Sequence, residues 1–147
     1  MADQNVTVLW LKRKANWELL VALRDADREF GAHREASRVW DEASQSAEER
    51  FGTLATARQR PEEKQTLATA WDALSAAETA WYSDYVHPAD VAAAELVMTP
   101  APDLAAVLLK ARVVKEHELD NYVGLSSEPM SIILADVQRL NLTKELA

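Results

Sequence analysis

Cysteine is absent from the chain, so a disulfide framework, a thiolate metal site and a cysteine nucleophile are all excluded. Glycine occurs three times and proline five times in 147 residues. So few breakers favour long regular elements over a turn-rich β fold. Alanine is abundant while isoleucine occurs only twice, which favours helix over strand. No apolar run approaches the roughly 20 residues needed to cross a bilayer. Near the start, the short apolar run Val6–Leu11 precedes the basic cluster Lys12-Arg13-Lys14, the reverse of a secretory signal, so a cytoplasmic location is expected.

Apolar residues make up 48% and charged residues 27%, enough to bury a core in a single domain spanning 1–147. The net charge of −8 is unevenly spread. Residues 1–60 hold ten basic and ten acidic side chains, whereas residues 61–147 hold six basic and fourteen acidic. The acidic half repels phosphate backbones and is compatible with a basic protein surface, although solubility alone accounts for it.

The strongest periodicity begins at Leu23. Leu23, Ala26, Phe30, His33, Ser37, Trp40, Ser44, Ala47, Phe51 and Leu54 follow at alternating spacings of three and four, a heptad stripe. It predicts one helix over about 16–57, with Asn16 as N-cap and Gly31 as a place where it could bend. Residues 6–11 fit either a strand-like arm or the first turns of a helix. Arg60-Pro61 breaks the chain and Pro61-Glu62-Glu63 opens a second helix, with Leu67, Trp71, Leu74, Trp81 and Tyr85 on one face. The short connection implies antiparallel neighbours. The fold class expected is therefore all-α: a long antiparallel, coiled-coil-like helical hairpin over 16–86, with about three shorter helices over 88–140 packed on it.

His87-Pro88 is expected to end the second helix, and Pro88 to open a third that reaches about Met98. A fourth follows Pro102-Asp103, with Leu104, Leu108, Ala111 and Lys115 on one line and Val107 and Val114 beside it. Ser126 or Ser127 is expected to cap the last helix, which buries Met130, Ile133, Leu134, Val137 and Leu140. The run Thr99-Pro100-Ala101-Pro102-Asp103-Leu104-Ala105-Ala106, followed by Lys110, Asp136 and Arg139-Leu140, resembles the C-terminal part of short, helical, uncharacterised proteins of alphaproteobacteria and their phages or prophages. That resemblance implies a bacterial or phage origin and a shared helical unit. It implies no activity.

Chemistry finds little support. Di-metal sites in helical bundles use paired Glu-x-x-His motifs, and the chain has none. Asp84-x-x-His87 is the nearest spacing and has no twin. His33 falls in the stripe, where a hydrogen-bonded core histidine is expected. His117 lies between Glu116 and Glu118 and is expected on a wet surface. The serines fall on the stripe or at caps, the three histidines lie on different elements, and no Gly-rich phosphate loop exists, so neither a nucleophilic triad nor a nucleotide site is indicated. Among the carboxylates, Glu78 beside Trp71 and Trp81 comes nearest to an apolar face. Lys12-Arg13-Lys14 with Trp10 and Trp17 forms a basic, aromatic patch, but neighbouring acids cancel its field. No metal, cofactor or nucleic acid is expected.

Five tryptophans are the most unusual feature of the composition. Trp40, Trp71 and Trp81 fit the hairpin seam. Trp10, Leu11, Trp17 and Leu20 lie outside it and are the candidate contacts with another protein chain. The function expected is a non-enzymatic interaction or structural module that self-associates. The alternative is an acidic antagonist of a basic surface on a host protein, and an enzyme built on a carboxylate site ranks third. Within one chain, the C-terminal helices are the competing cover for the N-terminal tryptophans.

Overall fold

The computed structural model describes the backbone of residues 2–146 and the side chains of residues 4–141. Among these residues every regular element is helical. They run α1 (Ala2–Phe30), α2 (Ala32–Phe51), α3 (Leu54–Ala57), α4 (Pro61–Trp81), a π-turn (Tyr82–Val86), α5 (His87–Met98), α6 (Leu104–Glu116), a 3₁₀ turn (Leu119–Asn121) and α7 (Pro129–Leu146). No helix is long and apolar enough to cross a membrane among the described residues. Two compact units emerge: residues 1–21 with 87–147, and residues 22–86.

The N-terminal segment is helix from Ala2, not a strand-like arm, and the helix starts well before Asn16. The spacing explains it. Val6, Trp10, Arg13, Trp17, Leu20 and Arg24 recur every three or four residues and are buried or half-buried, with Lys14, Val21 and Asp27 flanking the same stripe. Tertiary burial of this stripe overrides the weak helix propensity of Val6-Thr7-Val8.

The long helix is bent at Gly31, whose ψ of −158° leaves the helical region. Gly31 N–H still donates to the Asp27 carbonyl (2.8 Å), and the Gly31 carbonyl accepts from Glu35 N–H (3.1 Å). A Cβ at Gly31 would lie 2.9 Å from Asp27 Cα and 2.2 Å from Asp27 Oδ1, so the bend requires glycine. The bend also shifts the phase of the stripe. Leu23, Ala26 and Phe30 point to solvent, Phe30 being 84% exposed, while His33, Ser37, Trp40, Ser44, Ala47 and Phe51 are at least half-buried. The inward stripe thus begins at His33 instead of Leu23.

In the unit of residues 22–86, contacts between α2 and α4 run in opposite order along the two helices. His33 meets Trp81 (5.2 Å between ring centroids), Trp40 meets Trp71 edge-on (5.1 Å), and Arg50 pairs with the buried Glu63 (2.7 Å). Ala47, Ala57 and Leu67 form the small fully buried centre. The first helix stops at Phe51 instead of reaching residue 57. Gly52 takes a positive φ of 85° that an L side chain rarely adopts, and its N–H returns to the Glu48 carbonyl. The Thr53 side chain then caps α3, and Pro61 occupies the first turn of α4, as its fixed φ suits.

His87-Pro88 does not end the second helix. A π-turn over Tyr82–Val86 leads directly into α5. Proline lacks an N–H and its ring collides with the carbonyl four residues back. A widened turn just before Pro88 relieves both problems.

The other unit has the larger core. Trp10 and Trp17 of α1 join Ala92, Ala93, Leu96 and Val97 of α5, together with Ala106, Val107, Val113 and Val114 of α6 and Leu119. Large rings from one helix matched with alanines on another fill the space between them. Ile133, Val137 and Leu140 of α7 pack against this core, whereas Met130 and Leu134 are exposed. Helix α7 opens at Pro129 and not at a serine cap, again with proline in the first turn.

Candidate functional site

The run from Thr99 to Asp103 joins α5 to α6 through a buried corner. The Thr99 hydroxyl donates to the Glu95 carbonyl (2.7 Å), closing the last turn of α5. The Asp103 carboxylate accepts from Ala106 N–H (2.8 Å), capping α6. Between two prolines sits Ala101, fully buried. Its N–H and C=O find no helical partners and would be costly if left bare. Asp136 of α7 accepts from Ala101 N–H (3.2 Å), and the Arg139 guanidinium donates to the Ala101 carbonyl and pairs with Asp136 (3.1 Å).

Lys110 completes this knot. Its ammonium is fully buried, bonds to Asp136 and lies 5.8 Å from the centroid of the Trp10 ring. Burial pulls its pKa below the ordinary 10.5, against the opposing hold of Asp136. The residues Ala101, Lys110, Asp136 and Arg139, which carry the sequence resemblance, are therefore one polar cluster linking α6, α7 and the α5–α6 corner, buried except for Arg139 at its edge.

A second cluster sits seven residues further along both α1 and α6. Trp17 Nε1–H donates to His117 Nε2 (3.0 Å), and His117 Nδ1 lies 2.8 Å from Asp90 Oδ1 of α5. Indole is a donor only, so Nε2 accepts and Nδ1 carries the proton that Asp90 receives. The His117 side chain is almost completely buried, which corrects the expectation of a wet surface. It ends α6, after which Glu118 takes a left-handed φ of 52° and turns the chain. Arg13–Glu95 (2.9 Å) adds a half-exposed ion pair from α1 to α5.

Above these clusters the α1–α6 seam opens into a groove of about 480 Å³. Thr7, Trp10, Leu11 and Lys14 form one wall, and Ala105, Leu108, Leu109 and Arg112 lie across from it. Leu11 is 56% exposed and Leu108 72%. Beyond the apolar stretch, each wall ends in an opposite-charge pair one turn apart: Lys14–Glu18 (3.1 Å) on α1 and Arg112–Glu116 (3.5 Å) on α6.

The four candidate contacts thus divide. Trp10 and Trp17 belong to the core of their own chain, covered by the C-terminal helices, and Leu20 packs half-buried against that core. Leu11 remains open, with one edge of Trp10 beside it in the groove. Sequence reasoning missed Leu108 and Arg112 because it assigned the wrong face of α6. Leu104, Leu108, Ala111 and Lys115 are exposed, and the inner line is Ala106, Val107, Lys110, Val113 and Val114. Both lines fit a period of 3.6 and each contains a lysine, so spacing alone does not choose between them. Lys110 and the His117 side chain are sealed from solvent and already bonded, whereas the groove is open to solvent. Among the described residues, no three His, Asp or Glu side chains converge as a metal site would need. No protein-family model, curated protein or solved structure matches the chain.

Proposed function

We propose that this protein is a non-enzymatic interaction module that associates with a second copy of itself through the α1–α6 groove. The observation that carries the reading is Leu108, 72% exposed on a rigid helix opposite the exposed Leu11. Apolar side chains gathered in one concave place mark interaction sites more often than scattered ones do. The occupant is argued from charge. An isologous contact must be self-complementary. The groove rim carries both signs, Lys14 and Arg112 beside Glu18 and Glu116, so the cations of one copy can meet the acids of the other.

The polar clusters beneath serve this surface by fixing its walls. Lys110, Asp136 and Arg139 hold α6 to α7, and Asp90 with His117 holds α1 to the ends of α5 and α6. On the same reading, α2 and α4 form an antiparallel, coiled-coil-like hairpin, supported by the opposite order of their contacts.

Light scattering behind size exclusion tests the proposal. The wild type is expected at twice 16.4 kDa at high concentration, falling toward the monomer on dilution, and Leu108→Glu is expected to remain monomeric with an unchanged helical signal. A wild type that stays monomeric at every concentration overturns it.

A further inference from the structure

The unit of residues 22–86 carries a second surface of different character. On α4, Lys64, Leu67, Ala68, Trp71 and Asp72 line a shallow groove of about 250 Å³, which Arg58 closes from the α3–α4 turn. Leu67 is buried and forms the floor. Trp71 is 52% exposed, yet its ring is held by the edge-on contact with Trp40. A large aromatic left half-wet and already fixed loses little side-chain freedom on binding.

The charges around the groove are just as distinctive. Nearby cations are engaged: Arg50 pairs with Glu63, and Arg60 lies 5.5 Å over the Phe51 ring. The side chains of Arg58 and Lys64 are exposed and make no ion pair or hydrogen bond with the described residues. Lys64 and Asp72 are two helical turns apart, about 12 Å at the α-helical rise. The groove therefore has a basic end, an aromatic middle and an acidic end.

We propose that this groove binds an acidic peptide segment of a partner protein, taking an apolar side chain against Trp71 and Leu67 and an adjacent carboxylate between Arg58 and Lys64. Charge complementarity selects this occupant. Two free cations suit one or two carboxylates, whereas Asp72 at the far end of the groove repels an extended phosphate backbone running its length. The volume admits one apolar side chain and not a folded domain. The surface is separate from the α1–α6 groove, and its fate does not depend on self-association.

The test uses the full-length chain labelled with ¹⁵N. Its tryptophan indole signals are followed by NMR, and Trp71 is identified by its loss in Trp71→Phe. The probe is an acetylated, amidated pentapeptide of two glutamates, a leucine, a phenylalanine and a glycine. A second peptide replaces the glutamates with lysines, and oligothymidylate is the third ligand. The Trp71 indole is expected to shift with the acidic peptide alone. Arg58→Ala with Lys64→Ala is expected to weaken that binding about tenfold or more, a loss of one decade in Kd. Both cations are exposed and unpaired, so a helical signal equal to wild type shows that the variant is folded. No Trp71 shift, an equal shift with the lysine peptide, or a stronger response to oligothymidylate overturns the proposal.

Discussion

Two units of one helical chain use their tryptophans in opposite ways. In the unit of residues 1–21 and 87–147, Trp10 and Trp17 are buried and each is tied to a polar side chain of α6 or its end, Lys110 and His117. In the unit of residues 22–86, Trp71 is half exposed, and Trp40 and Trp81 are only half-buried. Three or four helices around one core can enclose an indole. Two helices and a short third cannot, so their aromatics cover the seam from outside. The first arrangement yields a rigid frame for a groove, and the second yields aromatic surface.

The buried knot should give the largest effect. Asp136→Ala leaves a buried ammonium and the Ala101 N–H without an acceptor, and should cost on the order of 3–5 kcal/mol in urea unfolding. Lys110→Met combined with Asp136→Asn removes the charges and keeps the acceptor for Ala101, and should recover much of that loss. A mild effect of Asp136→Ala would mean that the knot does not hold this unit.

The tryptophans sharpen the contrast next. Trp10→Ala should cost about 3–5 kcal/mol, as for a fully buried aromatic. Trp40→Ala should cost about half as much, because it is only half-buried against an exposed partner. Equal shifts in melting temperature would erase the distinction between the units. At the bend, Gly31→Ala forces a Cβ against the backbone of Asp27 and should lower stability by about 1–3 kcal/mol. A neutral or stabilising result would mean that the helix can straighten.

The pH dependence of Lys110 has a defined sign. Its folded pKa lies below the ordinary 10.5, so between the two values the unfolded chain holds more protons. Stability contributed through Lys110 therefore rises as pH climbs through that window and is flat below it. The difference in unfolding free energy between wild type and Lys110→Met, followed from neutral pH to about pH 10, checks this. A difference that moves the other way contradicts the burial argument. The smallest effect belongs to Glu118→Gly, which relieves a left-handed φ and should gain at most about 1 kcal/mol.

Much of the architecture was legible because it is local. The helical content, the Pro61 start and the Thr99–Asp103 corner follow from breakers and caps that act on their immediate neighbours. The α2–α4 pairing follows from stripes that the structure keeps beyond Gly31. What escaped depends on partners distant in sequence. Lys110 looks like a surface residue until Asp136, 26 positions later, neutralises it. His117 looks wet between two glutamates until Trp17 and Asp90 enclose it. The line of Leu104, Leu108, Ala111 and Lys115 has the same period as the buried line through Lys110, so spacing alone does not show that Leu108 faces the groove. The bend was legible as a possibility at Gly31, but its effect on the phase of Leu23, Ala26 and Phe30 was not, because phase depends on a single ψ.

Amide hydrogen exchange of the wild type at low and high protein concentration tests the self-association account most directly. Exchange should slow with concentration across residues 7–14 of α1 and 104–112 of α6, with α2 and α4 unchanged. Exchange that is independent of concentration, or protection confined to α2 and α4, would contradict it.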